Sequence, residues 1–143
     1  MTPILELRNI NYSYHTPEGE TKALAGISFS LSPGEFTAVV GPSGCGKSTL
    51  LSLIAGLMRP ESGEIFLDGA PLTENSSKIG YMQQHDHLFE WRSVYRNVVL
   101  GMEISGTLTA ETRSEAEQLL EQYGLLPFAR SRPSELSGGM RQR

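Results

Sequence analysis

The sequence predicts a mixed α/β chain, β-rich at its N-terminus and mainly helical toward its C-terminus. Three observations carry that expectation. The first forty residues hold short apolar β segments separated by turn residues. Phe36–Val40 (FTAVV) is a compact apolar run that passes straight into a glycine-rich loop and then a helical repeat. After about residue 85, period-two patterning gives way to helical spacing.

Taken in order, Ile4–Ile10 and Ile27–Leu31 read as strands, with Pro17, Gly19 and Ser32-Pro33-Gly34 marking turns. Phe36–Val40 has the β-branched, apolar character of a strand covered on both faces of a parallel sheet, and it ends at Gly41. From Lys47, the residues Leu50, Leu53, Ile54 and Leu57 recur at i, i+3, i+4 and i+7, a one-faced helix that stops before Pro60. Glu64–Leu67 with Asp68-Gly69 reads as a strand entering a hairpin turn, and Lys78–Met82 (KIGYM) as a further short strand. Within Leu108–Tyr123, Ala116, Leu119, Leu120 and Tyr123 form an apolar stripe, with Gly124 in the position of a C-terminal stop.

Composition narrows the function classes. The 143 residues suit one compact domain, with a change of character near residue 85. Twelve basic against sixteen acidic residues give a net charge of −4, so no general attraction to nucleic acid is expected. The single cysteine cannot form an internal disulfide, and Glu6 and Arg8 interrupt the N-terminal apolar residues where a signal peptide needs an unbroken core. The longest apolar stretch, Leu50–Met58, is broken by Ser52 and Gly56 and falls far short of the roughly 20 residues that span a bilayer. A cytoplasmic chain that meets a membrane only through a partner is the expectation.

Gly41-Pro42-Ser43-Gly44-Cys45-Gly46-Lys47-Ser48-Thr49 fits G-x-x-x-x-G-K-[ST] between a strand pattern and a helix pattern, the context this phosphate loop requires. Gly41, Gly44 and Gly46 allow the tight curl that points backbone N–H groups inward, and the following helix adds its positive end. Lys47 supplies a cation for the β and γ phosphates, Ser48 an oxygen for Mg²⁺, and Thr49 a further phosphate donor. A glycine-rich turn that matches by chance is the alternative, and the flanking elements disfavour it.

A second motif, Leu136-Ser137-Gly138-Gly139-Met140-Arg141-Gln142-Arg143, places an N-cap residue before two glycines and a basic helix start, a second candidate anion site with Ser137, Gly138 and Gly139 at its mouth and Arg141 one turn inside. Together the two motifs resemble the ATP-binding cassette (ABC) family, whose signature begins LSGGQ and in many bacterial importers reads LSGGMRQR. The resemblance implies a P-loop NTPase of ABC type: an antiparallel β subdomain and nucleotide-binding core with a parallel sheet over about residues 1–84, then a Q-loop and helical subdomain over about 85–143. It further implies ATP and Mg²⁺ as cofactors, with the signature motif meeting the γ-phosphate held by a second ATP-binding subunit in a head-to-tail homodimer.

By the same resemblance, Tyr14 matches the adenine-stacking aromatic, with Tyr12 as the competing candidate. Gln84 aligns with the glutamine that approaches Mg²⁺ and the attacking water; Gln83 stands where Phe or Pro is usual, which leaves the register open by one residue. Leu88-Phe89-Glu90-Trp91 resembles the LLPW stretch of nitrate, sulfonate, taurine and thiamine-precursor importers. It therefore points to permease contacts at Leu88, Phe89 and Trp91, with core packing of Trp91 as the alternative. The expected activity is ATP hydrolysis driving solute import, with a solute-binding protein as an indirect partner and the inner membrane face as the location. Nothing through Arg143 supplies the aspartate strand, the adjacent glutamate or the switch histidine of the family, so the 143 residues are expected to be an incomplete domain, inactive alone.

Two other function classes fit less well. A non-transport ABC ATPase remains an alternative, although the long coiled coil of the chromosome-maintenance group is missing between the two motifs. A catalytically inactive binding module is the other. His85-Asp86-His87 is not expected to hold zinc, for want of a third ligand at workable spacing. Cys45 is read as a reporter in the loop and not a catalyst.

Overall fold

The computed structural model describes residues 2–72, 76, 78–85 and 87–143. The chain divides into two compact units, Met1–Tyr81 and Met82–Arg143.

The first unit is built on an antiparallel sheet of four strands in the order β2-β1-β3-β4. Strand β1 spans Leu5–Thr16 and β2 spans Gly19–Leu31, so the two strands are longer than the apolar segments alone suggest. They form one hairpin whose end pair is Thr16 and Gly19, which leaves Pro17-Glu18 as the turn. On the other side of β1 lies β3 (Ser62–Leu67), which turns through Asp68-Gly69, both at positive φ, into the two-residue β4 (Ala70–Pro71). That is the hairpin the Asp-Gly pair predicts.

An irregularity in β1 decides which side chains reach the core. Leu5 and Leu7 are buried at odd positions, but after a register shift around Asn9 (φ 51°) the next buried residue is Ile10. One extra residue inverts the faces of everything beyond it. Further shifts fall on either side of Tyr12, so burial returns to an odd position at Ser13, while Tyr12 is half-buried and Tyr14 exposed, their rings meeting edge to face at 5.2 Å.

Helix α1 (Lys47–Ile54) lays Leu50 and Leu53 into the same core as Leu5, Leu7, Ile10, Leu24 and Ile65. Ile54 packs at the edge of that cluster, whereas Leu57 is exposed because the helix ends at Ala55 and Gly56 turns left-handed.

The strands expected at Phe36–Val40 and Lys78–Met82 do not form among the described residues, and the sheet contains no parallel pair. A strand exists only through ladder hydrogen bonds to a neighbour, and no neighbouring strand runs beside either segment among the described residues. Phe36 is 94% exposed and Val40 86%, an apolar run without a cover. The sequence pattern still describes what the segment is suited for, which is burial.

The second unit is helical: α2 (Val94–Val98), α3 (Leu100–Ser105), α4 (Ala110–Gln122) and a short α5 (Gly138–Arg141), with 3-10 turns at Leu126–Phe128 and Pro133–Glu135. Thr109 caps α4 and Thr112 returns the bond to the Thr109 N–H. Gly124 follows at φ 70°, the left-handed stop that the sequence marks. Ala116 and Leu120 are buried, and Val94, Leu120, Leu125 and Leu136 make the core. Leu119 and Tyr123, the other half of the predicted stripe, are 42% and 50% exposed.

Candidate functional site

The loop Gly41–Gly46 connects the uncovered Phe36–Val40 segment to α1. Its shape is set by two glycines with left-handed backbones, Gly44 at φ 80° and Gly46 at φ 92°. At Gly46 a second constraint applies. A Cβ there would sit 2.5 Å from the Ala23 carbonyl oxygen and 2.9 Å from Leu24 Cδ2, so the loop is pressed against β2 where only a hydrogen fits. The sheet thereby fixes where α1 begins.

Gly46 is also the N-cap residue, and no side chain caps the helix. An α-helix leaves its first four N–H groups without intrahelical acceptors, and these carry the positive end of the dipole. Lys47, Ser48 and Thr49 open that first turn. Lys47 folds back over the loop: its Nζ donates to the carbonyls of Gly41 at 2.8 Å and Pro42 at 2.7 Å, and lies 3.6 Å from Cys45 Sγ. Ser43, Cys45 and Ser48 are exposed. The donor set is cationic and N–H-rich, and it contains no carboxylate, so its chemistry fits a polyphosphate. Ser48 contributes a single neutral oxygen, which suits a magnesium ion held mainly by phosphate oxygens.

Thr49 is buried at 7% exposure, and its Oγ1 lies 3.0 Å from the hydroxyl of Tyr14, which reaches across from β1. Tyr14 itself is 43% exposed, so its ring is available at the surface and is not a core residue. The structure thus joins Tyr14 to Thr49, the last residue of the Gly41–Thr49 segment. The sequence marks both, but not the hydrogen bond between them.

In the second unit, Gln83 and Gln84 are exposed on the segment that opens it. Ser137 caps α5, its Oγ accepting from the Met140 N–H at 3.3 Å, while Leu136 anchors the motif in the helical core. Neither Gly138 nor Gly139 has a positive φ, and a Cβ added at either would meet no atom within 4 Å. Nothing in the described chain therefore requires glycine at these two positions.

Phe89 and Trp91 form a tilted ring pair, centroids 4.6 Å apart, with Trp91 74% exposed. Core packing of Trp91 is therefore ruled out among the described residues. Their loop is held by Asn97, a residue that no sequence motif singles out. Its Oδ1 accepts from the Phe89 N–H at 2.9 Å, and its Nδ2 donates to the carbonyls of Phe89 at 3.1 Å and Ser93 at 3.0 Å. An asparagine inside a helix pattern is an unfavourable choice without such a task, and that is the one signal the sequence offers. Asp86, in the middle of the His85-Asp86-His87 segment, lies outside the described residues.

Comparison with known proteins bears on the family of the chain. The ABC transporter family profile matches residues 24–143. The uncharacterized ABC transporter ATP-binding protein YtlC of Bacillus subtilis (strain 168) is 43% identical over 97% of this chain and 54% of its own length. The taurine import ATP-binding protein TauB of Roseobacter denitrificans is 40% identical over 97% of this chain and 52% of its own length. The lipoprotein-releasing system ATP-binding protein LolD of Hyphomonas neptunium is 41% identical over 100% of this chain and 67% of its own. The chain therefore spans about half the length of the first two relatives. Among solved structures, a dimeric post-hydrolysis state of the ATP-binding cassette MJ0796 bound to ADP and Pi matches 96% of this chain and 65% of that one, with TM-score 0.84 and 30% identity. The phosphate loop, the signature motif and the backbone lead to one conclusion: the chain belongs to the ABC transporter family.

Proposed function

We propose that this chain is the nucleotide-binding portion of an ATP-binding subunit that powers solute import through a membrane permease. The observation that carries the nucleotide part is the uncapped start of α1 behind a left-handed glycine loop, with Lys47 folded over it. Lys47 would face the β and γ phosphates, Ser48 the magnesium ion and Thr49 a phosphate oxygen, with the backbone of Gly41–Gly46 as the cradle and Tyr14 as the stacking face for adenine. ATP bound there supplies the free energy; the chain's own residues bind, orient and neutralise it. Gln84 is the proposed glutamine for the metal and water. Ser137, Gly138 and Gly139 are proposed to meet the γ-phosphate on a second copy of the subunit, and two glycines that the chain's own packing does not require leave room for that close approach. Among the described residues the Gly41–Thr49 loop holds no carboxylate to orient an attacking water, so these residues are proposed to bind nucleotide without turning it over at a useful rate by themselves.

Cys45 tests the nucleotide part. Its thiol is exposed beside Lys47 Nζ, so a bulky maleimide there occupies phosphate space. Saturating Mg-ATP is expected to slow Cys45 labelling in proportion to occupancy, and labelled protein is expected to lose ATP binding. An unchanged labelling rate removes the loop from the nucleotide site.

The coupling part rests on Phe89 and Trp91, and on Leu88, which lines an apolar cleft with Val98, Leu119 and Tyr123. An exposed aromatic pair on a braced loop beside an apolar cleft suits a helix offered by a permease at the cytoplasmic face of the membrane. No described helix is long and apolar enough to cross a membrane itself. In the protein that carries this chain, Trp91→Ser is expected to reduce co-purified permease roughly ten-fold, as for loss of an aromatic anchor, with ATP binding intact. Equal recovery of permease would remove Trp91 from the contact. The taurine-import relative favours import, and the partner recovered in this experiment separates an importer from a release system.

A further inference from the structure

We infer that the Tyr14 hydroxyl is a positioning group for the phosphate subsite, acting through Thr49, in addition to the ring's role toward a base. The inference rests on the nucleotide-binding reading above. Two facts lead to it. Tyr14 reaches from β1 to the first turn of α1 and places its hydroxyl 3.0 Å from Thr49 Oγ1, while its ring is steadied edge to face by Tyr12 at 5.2 Å. Thr49 is nearly buried, so the direction in which its only hydroxyl proton points is decided by protein neighbours and little by bulk water.

Either hydroxyl can donate in this bond, and intrinsic donor strength favours one direction. A threonine hydroxyl has one proton and two lone pairs, and a phenol is the more acidic and hence the better donor of the two. With Tyr14 donating, Thr49 accepts on a lone pair and keeps its own proton free for an anion at the open end of α1. With Tyr14 absent or silent, the same proton has alternative acceptors and is not pre-aimed. A donor already hydrogen-bonded as an acceptor is also polarised, which strengthens the bond it gives. The base subsite on β1 and the phosphate subsite on α1 are in this way joined by one hydrogen bond, and Tyr14 contributes to affinity for the phosphates without touching them.

The prediction separates ring from hydroxyl. Tyr14→Phe keeps the π face and removes the donor. Tripolyphosphate, which has no base, is expected to bind roughly five-fold more weakly to Tyr14→Phe than to the parent, the effect of one net hydrogen bond, and ATP to weaken by the same factor. Adenosine, measured as a competitor, is expected to bind both equally. Thr49→Val is expected to weaken tripolyphosphate, and adding Tyr14→Phe to it is expected to cost nothing further. Thr49→Ser, which retains a hydroxyl, is expected to restore sensitivity to Tyr14→Phe. A merely structural loss would add to Thr49→Val and would not distinguish tripolyphosphate from adenosine. Unchanged tripolyphosphate binding in Tyr14→Phe, or losses that add in the double variant, overturns the inference while leaving nucleotide binding intact. Failure of the parent chain to bind ATP or tripolyphosphate overturns the nucleotide reading itself, and this inference with it.

Discussion

Lys47→Ala is expected to weaken ATP binding by about two orders of magnitude while leaving the first unit folded. In the structure the ammonium is satisfied by two neutral carbonyls, those of Gly41 and Pro42, on an exposed loop. A polyphosphate takes the cation away from those carbonyls and replaces neutral acceptors with charged ones, and hydrogen bonds to ionised partners are about twice as strong. Loss of about 3 kcal/mol corresponds to roughly 100-fold in affinity. The carbonyls left behind face water, so their release adds little to the folding free energy, and the melting temperature should move by only about a degree or two. AMP, whose phosphate lies farther from the lysine's proposed targets, should weaken much less than ATP. Calorimetric titration of both nucleotides against both proteins decides the matter. Equal ATP affinity with and without Lys47 would remove the lysine from the site and leave the loop as a structural turn.

How much of this is legible in the sequence depends on the range of the interactions involved. The phosphate loop and the signature motif can be read because their chemistry is local: positive-φ glycines, a helix start and a lysine occupy consecutive positions, and Gly44, Gly46 and α1 are found where the motif puts them. The Asp68-Gly69 turn and the Gly124 stop are legible for the same reason. Phe36–Val40 shows the opposite case. Its composition states a preference for a covered, paired environment, but pairing belongs to two segments at once, and no composition can state whether the neighbour is present. The β1 shift near Asn9 is also invisible, because Asn11 braces it across strands: its Nδ2 donates to Ser62 Oγ, 51 positions away on β3, and its Oδ1 accepts from the Gly26 N–H on β2, beside a local bond from Nδ2 to the Asn9 carbonyl. The Tyr14–Thr49 bond spans 35 positions and Asn97 holds a loop eight residues earlier, so each motif can be named while its support cannot.

Gly46→Ala should be the most damaging single-methyl change in the loop, and the reason lies in the sheet and not in the phosphates. Two penalties coincide at this position. The backbone is left-handed at φ 92°, which costs a residue with a Cβ about 1–2 kcal/mol. The added carbon would also stand 2.5 Å from the Ala23 carbonyl oxygen and 2.9 Å from Leu24 Cδ2, and a strand carbonyl cannot rotate away as a side chain can. Relief requires the start of α1 to lift from β2, which disturbs Leu50 and Leu53 in the core they share with Leu24. Together these effects are expected to destabilise the first unit by about 3 kcal/mol or more, a loss at the upper end for single substitutions. Gly44→Ala provides the control, because Gly44 is also left-handed, at φ 80°, but a Cβ there meets nothing within 4 Å. It should therefore cost only the backbone term, about 1–2 kcal/mol. Gly41→Ala meets Cys45 Sγ at 2.7 Å without positive φ, and a cysteine side chain can change rotamer, so it should cost less than Gly46→Ala. Denaturant titration of the three variants is expected to place Gly46→Ala last in stability. A Gly46→Ala protein as stable as Gly44→Ala would show that the loop does not rest on β2, and that something other than the sheet fixes the start of α1.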